Sequence, residues 1–167
     1  MKPDSKTILF VCTANVCRSP MAEYLLRARL GPETEWTVGS AGLAAWGGSP
    51  ASREAVSVMA EKGLDLGPHR SRPLTSDLVH GAGLIVVMTG AHQEDILRLY
   101  PEAKGRVYRL KSFGLAGRQA NIDDPVGLST EGYRVVRDEI DRAISDLVLY
   151  LLDRGKAPGG LRSANGS

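Results

Sequence analysis

Short apolar runs alternate with stretches of helical periodicity along most of this 167-residue chain. Four of these runs have the composition and length of β-strands: Thr7–Cys12, Trp36–Ser40, Leu84–Met88 and Arg106–Leu110. Successive strands that are separated by helices form βαβ units, because parallel strands need a long crossover connection. The alternation therefore predicts an α/β protein built on a parallel sheet.

The helical patterns have recognisable beginnings and ends. Ser19 stands before Pro20 and Ser49 before Pro50, and each pair predicts an N-cap followed by proline at the first helical position. Gly63 is predicted to be the C′ residue of the second helix. The predicted helices are Pro20–Leu30, Pro50–Lys62, Thr75–His80, His92–Tyr100 and one that begins near Ser129 or Thr130.

Length and composition predict one ordinary globular domain over residues 1–154. Residues 155–167 are rich in Gly, Ser, Ala and Pro and are predicted to be a disordered tail. A net charge of +2 does not favour nucleic acid or an anionic membrane as a partner. The chain lacks a signal-peptide pattern at its start, and its 2 cysteines do not make a secreted disulfide framework. We therefore expect a cytoplasmic protein that is monomeric or weakly self-associating.

The first strand and the first helix are joined by Cys12-Thr13-Ala14-Asn15-Val16-Cys17-Arg18-Ser19. In this strand–loop–helix context the backbone amides at the helix N-terminus can surround an anion. Cys12 is the candidate nucleophile, because thiols beside helix N-termini and arginines are commonly reactive thiolates. Arg18 can clamp a phosphoryl group with its planar guanidinium, and Ser19 can donate its hydroxyl to the sulfur. Asn15 suits a position with unusual backbone angles.

An attack of a thiolate on phosphorus needs an acid to protonate the leaving group and a base to activate water. Asp124, which precedes Pro125 in a long loop, is the candidate for both roles. Asp123 is the alternative, and an Asp-Pro pair is also typical of a simple turn.

Together these residues resemble the low-molecular-weight protein tyrosine phosphatases, whose signature is a cysteine loop ending in Cys-Arg-Ser-Pro and a late Asp-Pro loop. The resemblance extends from Thr7 to Leu152. It implies a three-layer Rossmann-like fold with a four-stranded parallel sheet, a phosphorylated protein as substrate, and no metal or organic cofactor. It implies that Cys12 is the nucleophile, Arg18 the phosphate clamp and Asp124 the general acid. It also implies that Cys17 can trap Cys12 as a reversible disulfide. The remaining residues implied to shape the phosphate loop or the substrate pocket are Thr13, Ala14, Asn15, Val16, Ser19, Ser40, Trp46 and His69.

The substrate class is less constrained than the chemistry. The family usually has an aromatic residue after Asp-Pro, whereas this chain has Val126. The segments around Met88 and Arg109 resemble a bacterial branch that includes protein-arginine phosphatases, which carry threonine at the position of Val16. Val16 and Trp46 favour phosphotyrosine, and we predict that substrate with phosphoarginine as the alternative.

Two other protein classes share parts of this sequence pattern. Thiol-dependent arsenate reductases share the scaffold, but they need further cysteines or a small thiol, and they typically have Ser-Gln where this chain has Ser-Pro. A non-enzymatic anion-binding protein would be expected to lack the nucleophile, the clamp or the acid. His69, His80 and His92 do not form a pattern typical of metal ligands.

Overall fold

The structure is a computed structural model that describes residues 5–114 and 120–153. The predicted tail lies outside the described residues. The strands are β1 (Thr7–Cys12), β2 (Thr37–Gly42), β3 (Leu84–Val87) and β4 (Val107–Arg109). The helices are α1 (Arg18–Leu30), α2 (Arg53–Ala60), α3 (Ser76–Gly81), α4 (Gly90–Leu99) and α5 (Thr130–Leu152), and short 3-10 turns cover Pro101–Ala103 and Leu110–Phe113.

The strands form one parallel sheet in the order β2-β1-β3-β4. Alternate residues of β1 point to opposite faces, as the two-residue period of a strand requires. Ile8 and Phe10 belong to the core cluster that α1, α2 and α5 cover, whereas Leu9 and Val11 belong to the cluster covered by α3 and α4. The predicted three-layer Rossmann-like fold is therefore confirmed. Within the described residues, no helix is both long and apolar enough to cross a membrane.

The strand order reverses between β1 and β3, because β1 connects outward to β2 and β3 connects outward to β4. In open α/β sheets the loops at such a reversal diverge and leave a crevice at the carboxyl ends of the strands. The loop after β1 is the one that contains Cys12, and the loop after β3 lies beside it. The topology thus places the sequence motif at the position where this fold class binds ligands.

Three predicted helix starts, those at Pro20, Pro50 and His92, are wrong by two or three residues. The first helix begins at Arg18, with Cys17 at the N-cap and no side-chain cap, so Ser19 and Pro20 lie in its first turn. The Ser19 hydroxyl bonds to other side chains of the motif instead of capping the helix.

The second helix begins at Arg53, and its cap is Ser52, which accepts a hydrogen bond from the Ala55 amide. Ser49 and Pro50 are extended because they pair with residues 70 and 71 on a neighbouring segment. The predicted role of Gly63 is confirmed: its φ is 72°, and the amides of Gly63 and Leu64 bond to the carbonyls of Ala60 and Met59.

Candidate active site around Cys12

Cys12 is the last residue of β1, and its thiol is buried under the first turn of α1. Its Sγ lies 2.9 Å from Ser19 Oγ, which is the contact expected of a hydroxyl that stabilises a sulfur nucleophile. The backbone between these residues forms the cysteine loop (residues 12–19). The loop is held against the chain that follows β2, because Leu43 and Ala44 donate their amides to the carbonyls of Cys12 and Thr13. A Cβ on Gly42 would lie 2.6 Å from the Thr13 oxygen, so this close approach requires glycine.

Asn15 has the left-handed φ of 58° that its position in the sequence suggested. Its side chain is fully buried, and Nδ2 donates to Ser19 Oγ at 2.8 Å and to Ser40 Oγ at 2.9 Å. Its Oδ1 accepts the backbone amide of Arg72. Since a carbonyl can only accept, His69 Nε2 carries a proton and donates it to the Asn15 carbonyl at 2.7 Å. Asn15 thus joins Ser19, Ser40 and His69, which sequence reasoning had placed in one network.

The network continues to a buried carboxylate that the sequence analysis did not identify. Ser40 donates its hydroxyl to Glu23 Oε1 at 2.6 Å, and Glu23 Oε2 pairs with Arg27 at 2.7 Å. Glu23 is on α1, and nothing in its local sequence distinguishes it from a solvated helix residue. Its burial depends on β2 lying beside α1.

Arg18 connects the cysteine loop to the Asp124 loop (residues 120–129). The Arg18 side chain is only 5% exposed, and one of its nitrogens donates to the Ile122 carbonyl at 2.9 Å. Its other terminal nitrogen lies 3.7 Å from Asp124 Oδ2. The guanidinium, which can clamp a phosphoryl group, therefore links the end of the cysteine loop to the loop of the candidate acid.

The Asp124 side chain is more exposed to solvent than the buried residues that hold the cysteine loop in place. The side chain is 50% exposed, and Oδ1 accepts the Val126 amide at 3.0 Å in a turn stabilised by its own side chain. Pro125 is buried and anchors this turn, whereas Asp123 is exposed. The carboxylate can consequently exchange protons with water while it stays near the guanidinium.

Cys17 occupies a different environment from Cys12. Its thiol is buried and lies 3.3 Å from Ser52 Oγ and 3.4 Å from the Tyr133 hydroxyl. Burial raises the pKa of the Cys17 thiol, and its hydrogen bonds with Ser52 and Tyr133 oppose the effect. Both cysteines are free in this structure.

The residues predicted to form the substrate pocket are exposed or half-buried. Thr13 and Ala14 are exposed, and Val16 is half-buried against the larger core cluster. Trp46 is 84% exposed in the segment after β2 that pairs with the cysteine loop, and Val126 is 64% exposed on the Asp124 loop.

His92 is a further residue of the site that the sequence analysis did not assign to it. The helix predicted to begin at His92 begins at Gly90, so His92 lies in its first turn. The ring is buried, and Nε2 lies 3.0 Å from Thr13 Oγ1. Burial, and then the charge of Arg18, lower the pKa of His92 to about 4, so the imidazole is neutral near neutral pH. The strand order predicts this neighbourhood, because it places the loop after β3 next to the loop after β1.

Comparisons with known proteins identify the family of this chain. A family model described as low molecular weight phosphotyrosine protein phosphatase matches residues 7–157. The chain is 43% identical over 140 residues to a protein-arginine-phosphatase of Geobacillus stearothermophilus, covering 84% of this chain and 92% of that protein. It is 48% identical over 120 residues to the probable low molecular weight protein-tyrosine-phosphatase EpsP of Ralstonia solanacearum, covering 72% and 78%.

The fold is also similar to the tyrosine phosphatase Wzb from Escherichia coli K30, solved in complex with sulphate. The TM-score is 0.79 at 35% identity, covering 87% of this chain and 98% of that one. With the family model matching most of the chain and the cysteine motif at the crevice of the sheet, the chain belongs to the low molecular weight phosphotyrosine protein phosphatase family.

Proposed function

We propose that this protein is a phosphoprotein phosphatase that hydrolyses phosphotyrosine through a cysteinyl-phosphate intermediate. One observation carries the proposal: the buried Arg18 guanidinium is held between the loop of the Cys12 thiol and the Asp124 carboxylate. The acid therefore shares one crevice with the nucleophile and the clamp, although it is far from them in the sequence.

In the first step the Cys12 thiolate attacks phosphorus in line with the leaving oxygen. The sulfur–phosphorus bond forms as the phosphorus–oxygen bond breaks, and Asp124 gives its proton to the departing tyrosine oxygen. In the second step Asp124 takes a proton from water, whose oxygen attacks phosphorus and releases inorganic phosphate. Sulfur leaves as a thiolate that Ser19, at 2.9 Å, stabilises by donating its hydroxyl.

The remaining residues hold the phosphoryl group and its loop. The amides of residues 13–17 surround the phosphoryl oxygens, and Arg18 neutralises the charge that develops on them. Asn15, Ser40 and His69 maintain the loop conformation through the bonds described above. The reaction as written uses no metal or organic cofactor, because the thiolate and the guanidinium supply nucleophile and clamp. We place this chemistry in a single domain of residues 1–154 acting in the cytoplasm, where thiols stay reduced.

Phosphotyrosine is favoured by the apolar groups at the mouth of the loop. Val16 offers an aliphatic surface beside the nucleophile, and the exposed Trp46 ring can cover one face of a phenyl group. Aromatic pairs of this kind contribute about 0.5–1.5 kcal/mol beyond the burial of area.

Phosphoarginine is the second candidate, and the observation that favours it is Val126. A phenyl ring would find no aromatic partner at this exposed position of the Asp124 loop. The similar protein from Geobacillus stearothermophilus is itself named a protein-arginine-phosphatase. A comparison of kcat/KM on matched phosphotyrosine and phosphoarginine peptides separates the two, and Val16→Thr is expected to shift the ratio toward phosphoarginine.

The experiment that tests the proposal measures phosphate release from an aryl phosphate by the wild type and by Cys12→Ser. We expect Cys12→Ser to be inactive, because a serine hydroxyl is far less nucleophilic than a thiolate. Cys17→Ser is the matched comparison, and it should keep activity within about tenfold because a buried, protonated thiol is not a nucleophile. Phosphate release that survives in Cys12→Ser would contradict the mechanism.

A further inference from the structure

The loop after β3 contacts the Asp124 loop at two points. We call residues 88–92 the β3–α4 junction. The Met88 carbonyl accepts the Ile122 amide at 2.8 Å, and the Gly90 amide donates to Asn121 Oδ1 at 3.0 Å. These bonds hold the residues that directly precede Asp123 and Asp124. The position of the acid in the crevice is therefore tied to the junction.

The same junction contacts the cysteine loop through His92. Thr89 caps α4 by accepting the His92 amide, which fixes the backbone of the histidine. The ring is 6% exposed, and its Nε2 lies 3.0 Å from Thr13 Oγ1, one residue after the nucleophile. The junction therefore bonds to both loops that supply reacting groups.

The direction of this hydrogen bond follows from the surroundings of the ring. His92 Nδ1 is buried and has no hydrogen-bond partner among the residues that the structure describes. A buried N–H without a partner is rarer in proteins than a buried acceptor without one. The proton of the neutral ring therefore belongs on Nε2, which donates to Thr13 Oγ1.

We propose that His92 is a positioning residue that sets the alignment of Cys12 with Asp124 through its hydrogen bond to Thr13. This inference rests on the proposed phosphatase function. Without the bond, the cysteine loop keeps its contacts to β2 and α1 but loses its side-chain tie to the junction that holds the acid. The nucleophile would still attack, but the proton would reach the leaving oxygen less efficiently.

The test compares two substrates, phenyl phosphate with a poor leaving group and para-nitrophenyl phosphate with a good one. His92→Leu should lower kcat/KM on phenyl phosphate about 3- to 10-fold more than on para-nitrophenyl phosphate, the range expected for one neutral hydrogen bond. KM should change little, because phosphate binding by the loop amides and Arg18 is retained. His92→Gln keeps a donor near the position of Nε2 and should recover most of the lost rate.

Thr13→Val removes the same bond from the exposed side, so the test does not depend on a core substitution being tolerated. The double variant His92→Leu/Thr13→Val should lose no more than the larger single loss, since both changes delete one interaction. His80→Leu is the matched control, because it removes an exposed imidazole on α3 that pairs with Glu102, and its rates should equal those of the wild type.

The outcomes separate the positioning role of His92 from the phosphatase function. Equal losses on the two substrates, or additive losses in the double variant, would overturn the positioning role while leaving the phosphatase function intact. A ¹⁵N NMR spectrum that places the His92 proton on Nδ1 would also overturn the positioning role. A wild-type protein that releases no phosphate from either substrate would instead overturn the proposed function, and the inference with it.

Discussion

The cysteine loop and the Asp124 loop contribute opposite kinds of structure to one site. In the cysteine loop, Cys12, Asn15 and Ser19 are buried and bonded to one another. In the Asp124 loop the acid is half exposed, and the Arg18 guanidinium lies 3.7 Å from it. The cysteine loop, which binds the phosphoryl group and attacks it, is therefore preorganised by the fold. The Asp124 loop, which transfers the proton, stays in contact with water. Substitutions in these two halves of the site should therefore have different signatures in activity and stability.

The largest expected effect is on the exposed side. Asp124→Asn should lower kcat/KM, which reports the step that expels the leaving group, by about 10²–10⁴-fold on phenyl phosphate, the usual contribution of general acid catalysis, and much less on para-nitrophenyl phosphate. The melting temperature should hardly change, because the carboxylate is half exposed and its ion pair with Arg18 is long.

Asp123→Asn is the matched control for this prediction, since it removes the neighbouring exposed carboxylate of the same loop. If Asp123→Asn shows the dependence on leaving group and Asp124→Asn does not, the two carboxylates exchange roles. Equal effects of Asp124→Asn on both substrates would remove it as the acid.

Arg18→Lys tests the group that joins the two loops. An ammonium cannot offer the planar pair of donors, so kcat/KM should fall by about 10²–10³-fold. Thermal unfolding should also shift to lower temperature, because the bond from the buried guanidinium to the Ile122 carbonyl is lost. Arg98→Lys on α4, an exposed arginine that pairs with Asp95, should change neither property. If Arg18→Lys keeps the kcat/KM of the wild type, a single positive charge at this position is sufficient for catalysis and the planar pair of donors is not required.

Asn15 tests the preorganisation of the buried half. Asn15→Ala should lower kcat by about tenfold and the free energy of unfolding by about 1–3 kcal/mol, because Ser19 and Ser40 lose a buried partner. Asn15→Gly removes the same bonds but tolerates the left-handed φ of 58°, so it should recover about 1 kcal/mol of stability relative to alanine. Denaturant unfolding measures both values. Equal stability of the alanine and glycine variants would show that the backbone angle is not strained.

The prediction with the smallest effect on catalysis concerns pH and His92, the residue between the two halves. The pKa of His92 is about 4 in the folded protein against an ordinary 6.5, so the unfolded chain binds more protons between these values. This contribution to stability is fully present above about pH 6.5 and is lost as the pH falls to about 4. His92→Gln should flatten the decline in unfolding free energy over that window relative to the wild type. An unchanged slope in His92→Gln would show that the imidazole titrates normally.

The chemistry of the site was predictable because its motif is contiguous. Cys12, Arg18 and Ser19 lie in one strand–loop–helix segment, so their proximity follows from local structure. Asp124 could be predicted only as an acid near proline, and the choice between it and Asp123 still depends on the experiment above. The helix starts at Ser19 and Ser49 were wrong because a serine before proline is a cap only where no tertiary contact competes for it. The Ser19 hydroxyl is hydrogen-bonded to the Cys12 thiol and to Asn15. Residues 49 and 50 pair with residues 70 and 71 of the neighbouring segment.

The alternation of strands and helices, the glycine at the end of α2 and the residues of the cysteine loop follow from local sequence. Hydrophobic period, capping and loop chemistry are properties of neighbouring residues and can be read from them. The burial of Glu23 under Ser40 and the bond of His92 to Thr13, which is 79 residues away in the chain, depend on tertiary packing. Such contacts depend on the order of the strands, because the order decides which loops meet at the crevice. Strand order follows from the packing of the whole chain, and no local pattern encodes it.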